Sequence, residues 1–228
     1  MTYLNLVNNV LRRLREDEVT SVSSNTYSKM AGDFVNDAKK LVEDAWDWSA
    51  LRTTLTVTTS VGVFNYAMTG AGNEFKVLNA YNDTDNWDLQ YQTPLWFDQK
   101  YMKEEPQSGS PQYYTFNGVN SNGDTQIEVY PKPDTAGVDL RFNVVNRGQI
   151  TDSDGNIIRP KELVNDTDQL IIPSQPVIHM AIALLARERG ETGGTSAPEY
   201  FGIADKYLSD AIALDAQKHP EEVIWYTP

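Results

Sequence analysis

The sequence contains no cysteine, which excludes disulfide bonds, thiolate metal sites and cysteine nucleophiles. It has only two histidines, His179 and His219, and no nucleophile motif such as Gly-x-Ser-x-Gly accompanies them. Basic residues are also scarce: 19 Lys and Arg stand against 32 Asp and Glu, which gives a net charge of −13. Proteins that bind nucleic acid through its phosphates need the opposite balance. The acidic excess therefore indicates either simple solubility or a surface that stays near DNA without binding it.

Long hydrophobic runs are missing as well. The most apolar stretch, Val177–Ala186, would span about 15 Å as a helix, whereas a bilayer crossing needs about 20 residues. We therefore predict no membrane association. The N-terminal Met1–Leu11 segment is interrupted by asparagines, and arginines follow it instead of preceding it, which is unlike a secretory signal. These features predict synthesis in the cytoplasm.

The apolar stretch Val177–Ala186 organises the rest of the chain. A helix that is hydrophobic on almost every side must be buried on almost every side, and here the surroundings must be protein. Ser174 is a plausible N-cap for this helix, and Gly190 is placed to end it. The sequence therefore predicts a central buried helix that other elements have to cover.

Three amphipathic helices can supply that cover. The first runs from Thr2, a good N-cap, to about Arg15 or Glu16, and the second covers Tyr27–Ala45. The last starts after Ser196, its expected N-cap, and ends before His219 and Pro220.

Two further features belong to the second helix. Lys39 and Glu43 are spaced as a weak surface ion pair. Trp46 and Trp48 follow the helix and, if buried, would anchor it to what comes next. The sequence therefore predicts a charged outer face for this helix and an aromatic anchor at its end.

From Leu51 the hydrophobic period changes from that of a helix to that of a strand. Short β-branched and aromatic segments then alternate with turn residues. The predicted strands are Leu51–Thr58, Val61–Tyr66, Phe75–Tyr81, Trp87–Tyr91, Tyr113–Phe116, Gln126–Tyr130 and Val138–Val145. One short helix is expected at Pro94–Tyr101, with Thr93 as its cap.

The order of elements predicts an α+β fold: a four-helix bundle with an inserted antiparallel β domain, which is a sandwich or a barrel. Residues 1–50 and 173–218 would form the bundle, residues 51–172 the β insertion, and residues 219–228 an extended C-terminal tail. Within the insertion, Asn146–Gln169 is predicted to be a long polar excursion of the chain, that is, an irregular surface loop.

The short motifs that could indicate metal or phosphate binding each lack residues that the full motif requires. Asp152-x-Asp154-x-Asn156 opens like a calcium loop, but Ile157 and Leu163 occupy the positions where glycine and glutamate are required. The glycine-rich turn at Gly190–Gly194 lacks the lysine of a phosphate-binding loop. His179 is most simply a core imidazole that is hydrogen-bonded to a neighbour. We therefore predict no catalytic, cofactor-binding or metal-binding residues.

Aromatic residues cluster in the β region, as sheet cores and protein interfaces require. Platforms on which sugars stack have a similar composition, so a carbohydrate-binding or carbohydrate-active protein is the alternative hypothesis. In that case Trp87 or Trp96 would carry glycan binding. The cluster consists of Trp87, Tyr91, Trp96, Phe97, Tyr101, Tyr113, Tyr114 and Phe116.

The C-terminal tail carries four consecutive large apolar residues next to the chain end: Val223, Ile224, Trp225 and Tyr226. Termini are usually polar and frayed, so this run needs a partner surface. Either the tail folds back over the helices or it docks in a groove of another protein. A tryptophan anchor is the kind of side chain that dominates interface energies.

The layout resembles that of the head-to-tail adaptor proteins of short-tailed bacteriophages, the head completion or tail tubular protein A-like family. The likeness rests on an N-terminal helix, a second amphipathic helix that ends in Trp46-Asp47-Trp48-Ser49, and a β insertion. It continues with Leu170-Ile171-Ile172-Pro173, which leads into an alanine-rich helix, a last amphipathic helix and a terminal tail.

The resemblance implies a non-enzymatic structural protein of the virion neck and tail. Such adaptors form a dodecameric ring beneath the portal protein, extend the DNA channel and present a platform to the tail nozzle protein. In relatives the terminal tail packs against the portal, which would make Val223, Ile224, Trp225 and Tyr226 portal-binding residues. An acidic lumen would let DNA pass without specific binding.

Overall fold

The computed structural model of the protein describes residues 1–103, 105–158, 162–190 and 197–218. The chain divides into two compact units. The first unit comprises Met1–Leu51 and Arg147–Pro228, and the second comprises Arg52–Asn146. The chain thus leaves the first unit after Leu51 and returns to it at Arg147. The predicted tail 219–228 and the predicted cap Ser196 lie outside the described residues.

The helices lie close to their predicted positions. They are α1 (Tyr3–Arg13), α2 (Thr26–Ala45), α3 (Pro94–Asp98), α4 (Ser174–Arg189) and α5 (Ala197–Ala216). A 3₁₀ turn at Ser49–Leu51 follows α2, and a π-helical turn at Gln99–Lys103 follows α3. As predicted, Thr2 caps α1, where its hydroxyl accepts a hydrogen bond from Asn5 N at 3.3 Å. Thr93 likewise caps α3.

Helix α4 is the buried centre of the first unit, as its composition requires. Eight of the ten residues in Val177–Ala186 are buried, and the other two are half-buried. The helix contacts α1, α2 and α5. Gly190, at φ 67°, ends it as predicted. The predicted N-cap is wrong, because Pro173 occupies that position and Ser174 is already the first helical residue.

The predicted four-helix bundle is wrong: the class is α+β, but the described helices form no such bundle. Helices α1, α2 and α4 contact one another, whereas the extensive packing of α5 is against α4. In a bundle each apolar stripe faces a shared core. The apolar arc of α5 is only partly covered, since Ala204 is buried while Ile203 and Tyr207 remain exposed. Three mutually packed helices plus one flanking helix describe the arrangement.

The ion pair on α2 is also placed differently from the prediction. Lys39 Nζ and Glu43 Oε1 are 2.9 Å apart, and the two side chains are only 2 % and 4 % exposed. Gly148 N donates a further hydrogen bond to Glu43 Oε2 at 3.0 Å. Burial raises the pKa of Glu43 although Lys39 opposes that shift. The predicted weak surface pair is therefore a buried one.

Trp48 is fully buried and anchors the end of α2, as predicted. Its Nε1 donates a 2.7 Å hydrogen bond to Val42 O, which satisfies the indole inside the core. Trp46 is half-buried. The chain that follows α2 is thus fixed by an aromatic side chain with no unpaired polar atom.

The second unit contains two four-stranded sheets, with strand orders β1-β8-β3-β4 and β2-β7-β6-β5. Its strands are β1 (Arg52–Thr58), β2 (Asn65–Ala67), β3 (Phe75–Asn82), β4 (Trp87–Asp88), β5 (Gln90–Tyr91), β6 (Tyr113–Val119), β7 (Thr125–Tyr130) and β8 (Asp139–Asn146). Neighbouring strands are antiparallel except β5 and β6, which are parallel. Every predicted strand segment overlaps at least one of these strands.

The two sheets share one core, which makes the second unit a sandwich. Inward-facing residues of β8, such as Leu140, Phe142 and Val144, are fully buried together with Ile127 of β7. The rings of Tyr114 on β6 and Phe142 on β8 meet edge to face at 5.3 Å between centroids. Alternating inward residues from both sheets are what a β-sandwich needs.

The segment after β8 belongs to the first unit, whereas the sequence predicts it as part of the β insertion. It contains a small hairpin of β9 (Ile150–Thr151) and β10 (Ile157–Ile158). The N-terminus is fastened to the chain beyond this hairpin, because Tyr3 N donates to Asp168 O at 2.8 Å. The polar excursion at Asn146–Gln169 is therefore partly ordered by backbone pairing.

A close helix contact explains the glycine in the middle of α2. Gly32 lies under the Tyr3 ring of α1. A methyl group there would meet the Tyr3 hydroxyl and would come within 2.9 Å of Val22 Cγ1. Gly202 on α5, in contrast, has open space around it. The two helix glycines thus have opposite packing environments.

This contrast predicts opposite effects of the same substitution. Gly32→Ala should lower the free energy of unfolding by about 1–3 kcal/mol, because overpacking exceeds the helix-propensity gain. Gly202→Ala, the matched control, should raise it by up to about 1 kcal/mol. Chemical denaturation of the two variants checks this. A stabilised Gly32→Ala variant would contradict the close contact.

Candidate functional site

The predicted partner-binding residues Val223, Ile224, Trp225 and Tyr226 lie outside the described residues. The structure does describe the chain as far as Lys218, just before this tail. The first unit therefore offers two candidate surfaces, the end of α5 and the exposed side of that helix. The exposed aromatic residues of the second unit are a separate candidate and are described by themselves.

The end of α5 is tied to the segment after α2 by the Asp215 clamp, which comprises Trp46, Ser49, Asp215 and Lys218. Asp215 Oδ2 accepts from Ser49 N at 2.8 Å and from Trp46 Nε1 at 3.2 Å. Asp215 Oδ1 accepts from Ser49 Oγ at 2.6 Å and from Lys218 Nζ at 2.9 Å. All four hydrogen bonds thus converge on one carboxylate, which is only 5 % exposed.

The clamp stabilises the ionised carboxylate. Burial opposes ionisation of Asp215, but the hydrogen bonds from Ser49 and Lys218 outweigh it and lower the pKa to about 2. A charged acceptor with several donors makes stronger hydrogen bonds than a neutral one. The last described turn of α5 is therefore held firmly at the point from which the tail continues.

The exposed side of α5 is a second feature of the site. Ile203, Tyr207 and Leu214 are 43 %, 40 % and 66 % exposed and follow one another at steps of four and seven residues. This spacing places them along one flank of the helix, beside the line that packs on α4. The sequence predicted an apolar face on α5 but not that part of this face stays exposed.

His179 lies on α4 against this flank. Its ring stacks on Tyr207 with 4.0 Å between centroids and an interplanar angle of 8°. Arg13 Nη1 lies 3.0 Å from His179 Nε2. Burial and the Arg13 charge lower the pKa of His179, so the neutral ring accepts from the guanidinium. The imidazole is half-buried and has the hydrogen-bonding neighbour that was predicted, and its contacts are those of a packing residue.

The aromatic cluster of the second unit is partly buried: two of its eight residues are buried, four are half-buried and two are exposed. The Trp96 ring meets Tyr113 at 5.1 Å and Tyr130 at 5.3 Å between centroids. Trp87 is 38 % exposed, and its Nε1 donates to Pro111 O at 3.0 Å. The alternative carbohydrate hypothesis needs Trp87 or Trp96 as an open platform for a sugar. Trp87 is the more exposed of the two, whereas Trp96 is half-buried among its aromatic neighbours.

The acidic motif at residues 152–156 is the turn of the β9–β10 hairpin. Asp152 Oδ1 accepts from Asp154 N at 2.9 Å and from Asn156 N at 2.8 Å. Hydrogen bonds from Asn156 lower the pKa of Asp152. The carboxylate thus closes a turn. Within the described residues, no group of three His, Asp or Glu side chains could hold a metal ion.

The described helices also bear on membrane association. None of them combines the length and the apolar character that a bilayer crossing requires.

The Asp215 clamp makes a pH-dependent prediction. Asp215→Asn should lower the free energy of unfolding by about 1.5–3 kcal/mol at neutral pH, since hydrogen bonds to a charged group are lost. A lowered carboxyl pKa contributes stability above the unfolded value of about 3.9, and this is lost as the pH falls towards about 2. The difference from wild type should therefore shrink between about pH 4 and pH 2.

The measurement is urea denaturation at several pH values. Asp210→Asn, an exposed carboxylate on the same helix, is the control and should have little effect. A destabilisation by Asp215→Asn that is equally large near pH 2 would contradict the role of its charge.

Residues 1–222 match the family model described as SU10 adaptor protein. A search of curated proteins finds no match. The family comprises phage head-tail adaptors, so the resemblance seen in the sequence is confirmed at that level. Membership implies a structural role as a phage adaptor and a place in the virion. The match spans nearly the whole chain, and the chain belongs to the SU10 adaptor protein family.

Proposed function

We propose that the protein is a ring-forming adaptor of the virion neck that joins the portal protein to the tail nozzle protein and extends the DNA channel. The observation that carries this proposal is the family match over residues 1–222. A dodecamer is the proposed ring size, and short-tailed phages are the proposed class of virus. The role is structural, and the partners are other virion proteins.

The tail is the proposed portal-binding element. Its four apolar residues Val223, Ile224, Trp225 and Tyr226 need a surface to cover them. The Asp215 clamp supports the proposal, because it holds the chain firmly just ahead of the tail. A tail that starts from a fixed point loses less conformational freedom when it binds.

The second unit is the proposed contact with the tail nozzle. Leu95 and Met102, around α3, are 66 % and 81 % exposed. Contiguous apolar patches mark protein interfaces, and in this proposal the two side chains belong to such a patch. The proposal thus assigns a different partner to each unit of the chain.

The charge of the chain supports passage of DNA through the ring. A net charge of −13 opposes the counterion-release binding that holds DNA to basic proteins. An adaptor channel has to let DNA move and so gains from weak contact. In this proposal DNA passes through the lumen without specific binding.

Mixing the protein with purified portal protein tests the proposal. We expect a complex whose mass corresponds to a closed ring of this chain on the portal, measured by native mass spectrometry and imaged by electron microscopy. Absence of any stoichiometric complex would falsify the proposal.

The tail makes a sharper prediction. Deleting Glu221–Pro228 should leave the melting temperature almost unchanged while it weakens portal binding. Trp225→Ala should weaken binding about 30-fold, the equivalent of about 2 kcal/mol for a desolvated anchor. Met102→Ala, which removes another exposed apolar side chain, is the control and should bind the portal as wild type does.

The melting temperature separates this role from a structural one. A large loss on deletion would show that the tail packs on its own subunit. Unchanged portal affinity of the Trp225→Ala variant would contradict the anchor.

A further inference from the structure

An acidic groove of about 550 Å³ lies in the first unit, next to the start of α1, the middle of α2 and the segment 162–166. Among the described residues, the carboxylates of Asp33, Glu162 and Asp166 line it, together with the ammonium of Lys29. Asp166 also accepts from Val22 N at 3.0 Å. Asp33 and Glu162 are exposed and form no ion pair with any described residue. The groove therefore contains two carboxylates, those of Asp33 and Glu162, that no described residue neutralises in an ion pair.

A buried phenol also lines this acidic groove. Tyr3 is only 5 % exposed, and its hydroxyl has no hydrogen-bond partner among the described residues. The side chain lines the groove, so a group that enters the groove can reach its hydroxyl. Burial, together with the charges of Asp33 and Glu162, raises the pKa of Tyr3 to about 12. The hydroxyl is thus a neutral group whose oxygen can still accept a hydrogen bond.

The chemistry of the acidic groove selects a donor-rich cation. Its carboxylates and the phenol oxygen are all acceptors. A guanidinium offers five donors in a planar fork and no acceptor, so arginine matches the set best. A metal ion fits poorly, because in the described part of the chain no three acidic or histidine side chains are close enough to hold one.

The chain itself carries a matching cationic surface. Arg12, Arg13 and Arg15 form the densest basic cluster of the sequence, and all three are exposed at the end of α1. Arg12 pairs with Glu18 at 3.0 Å, and Arg13 contacts His179. The Arg15 side chain contacts no described partner. Arg15 also has φ 60°, so it stands at the turn that ends the helix.

The arginines of a chain cannot enter its own acidic groove. Tyr3 and Arg13 mark opposite ends of α1, ten residues apart, which corresponds to about 15 Å along the helix. This distance is more than an arginine side chain spans. A second copy of the chain is therefore the occupant that charge complementarity favours.

We propose that the acidic groove of one copy receives Arg13 and Arg15 of a neighbouring copy. The two surfaces differ, so the contact is heterologous, and repetition of such a contact closes a ring when the rotation allows it. The inference rests on the ring assembly proposed above and identifies one lateral contact within it. Arg15 and the Tyr3 hydroxyl both gain a partner when two copies meet.

Charge reversal on each surface separately tests this contact. Variant one carries Asp33→Lys and Glu162→Lys, and variant two carries Arg13→Glu and Arg15→Glu. Each variant alone faces like charges across the contact, so ring assembly on the portal should weaken at least about tenfold at low salt. An equimolar mixture should assemble again, because alternating copies restore opposite charges at every contact.

Two further variants test whether the effect is specific to the proposed contact. Arg52→Glu, a charge reversal on an exposed arginine of the second unit, is the matched control and should assemble normally. Tyr3→Phe should keep the melting temperature, since the hydroxyl is unpaired in the single subunit, yet should weaken assembly about fivefold to tenfold. Native mass spectrometry on the portal reads out all variants, and thermal melting confirms that each one folds.

The outcomes decide between the inference and the function on which it rests. If wild type and both reversed variants assemble equally well, the lateral contact is wrong and the adaptor function stands. If each variant fails alone and the mixture also fails, the two surfaces do not meet each other and the inference is overturned. If wild type itself forms no ring on the portal, the proposed function fails, and the inference fails with it.

Discussion

Burial of α4 is the constraint on which the first unit depends. Val177–Ala186 is apolar around its whole circumference, so it needs protein on every side. Helices α1, α2 and α5 provide that protein, drawn from both ends of the chain. Local propensity alone would not bring these segments together, because most helix stability in proteins comes from tertiary packing. Packing around α4 therefore brings together helices that are far apart in sequence.

Polar contacts then fix details that apolar burial leaves open. The Lys39–Glu43 pair and its hydrogen bond from Gly148 join α2 to the chain that returns from the second unit. The Asp215 clamp joins α5 to the 3₁₀ turn after α2. Buried charged groups are costly unless they are fully paired, so each contact specifies one arrangement of its segments. These contacts fix the two chain segments of the first unit that precede and follow the second unit in sequence.

Several side chains that the sequence offers as candidates for chemistry or ligand binding make structural contacts. His179 stacks on Tyr207, Asp152 closes a turn, and Tyr114 and Phe142 belong to the core of the second unit. What remains open is the exposed flank of α5, the acidic groove beside Tyr3 and the arginines at the end of α1. Membership of an adaptor family accords with this distribution, because an adaptor acts through its interfaces.

Hydrophobic periodicity by itself determined the helices, the strand segments and the buried state of α4, since each of these follows from a local pattern. Tertiary structure decided that Lys39 and Glu43 are buried. In the sequence, an i,i+4 ion pair looks the same whether its helix face is exposed to solvent or packed against protein. The bundle prediction failed for a similar reason. Periodicity shows that α5 has an apolar face, but only the packed structure shows how much of that face its neighbours cover.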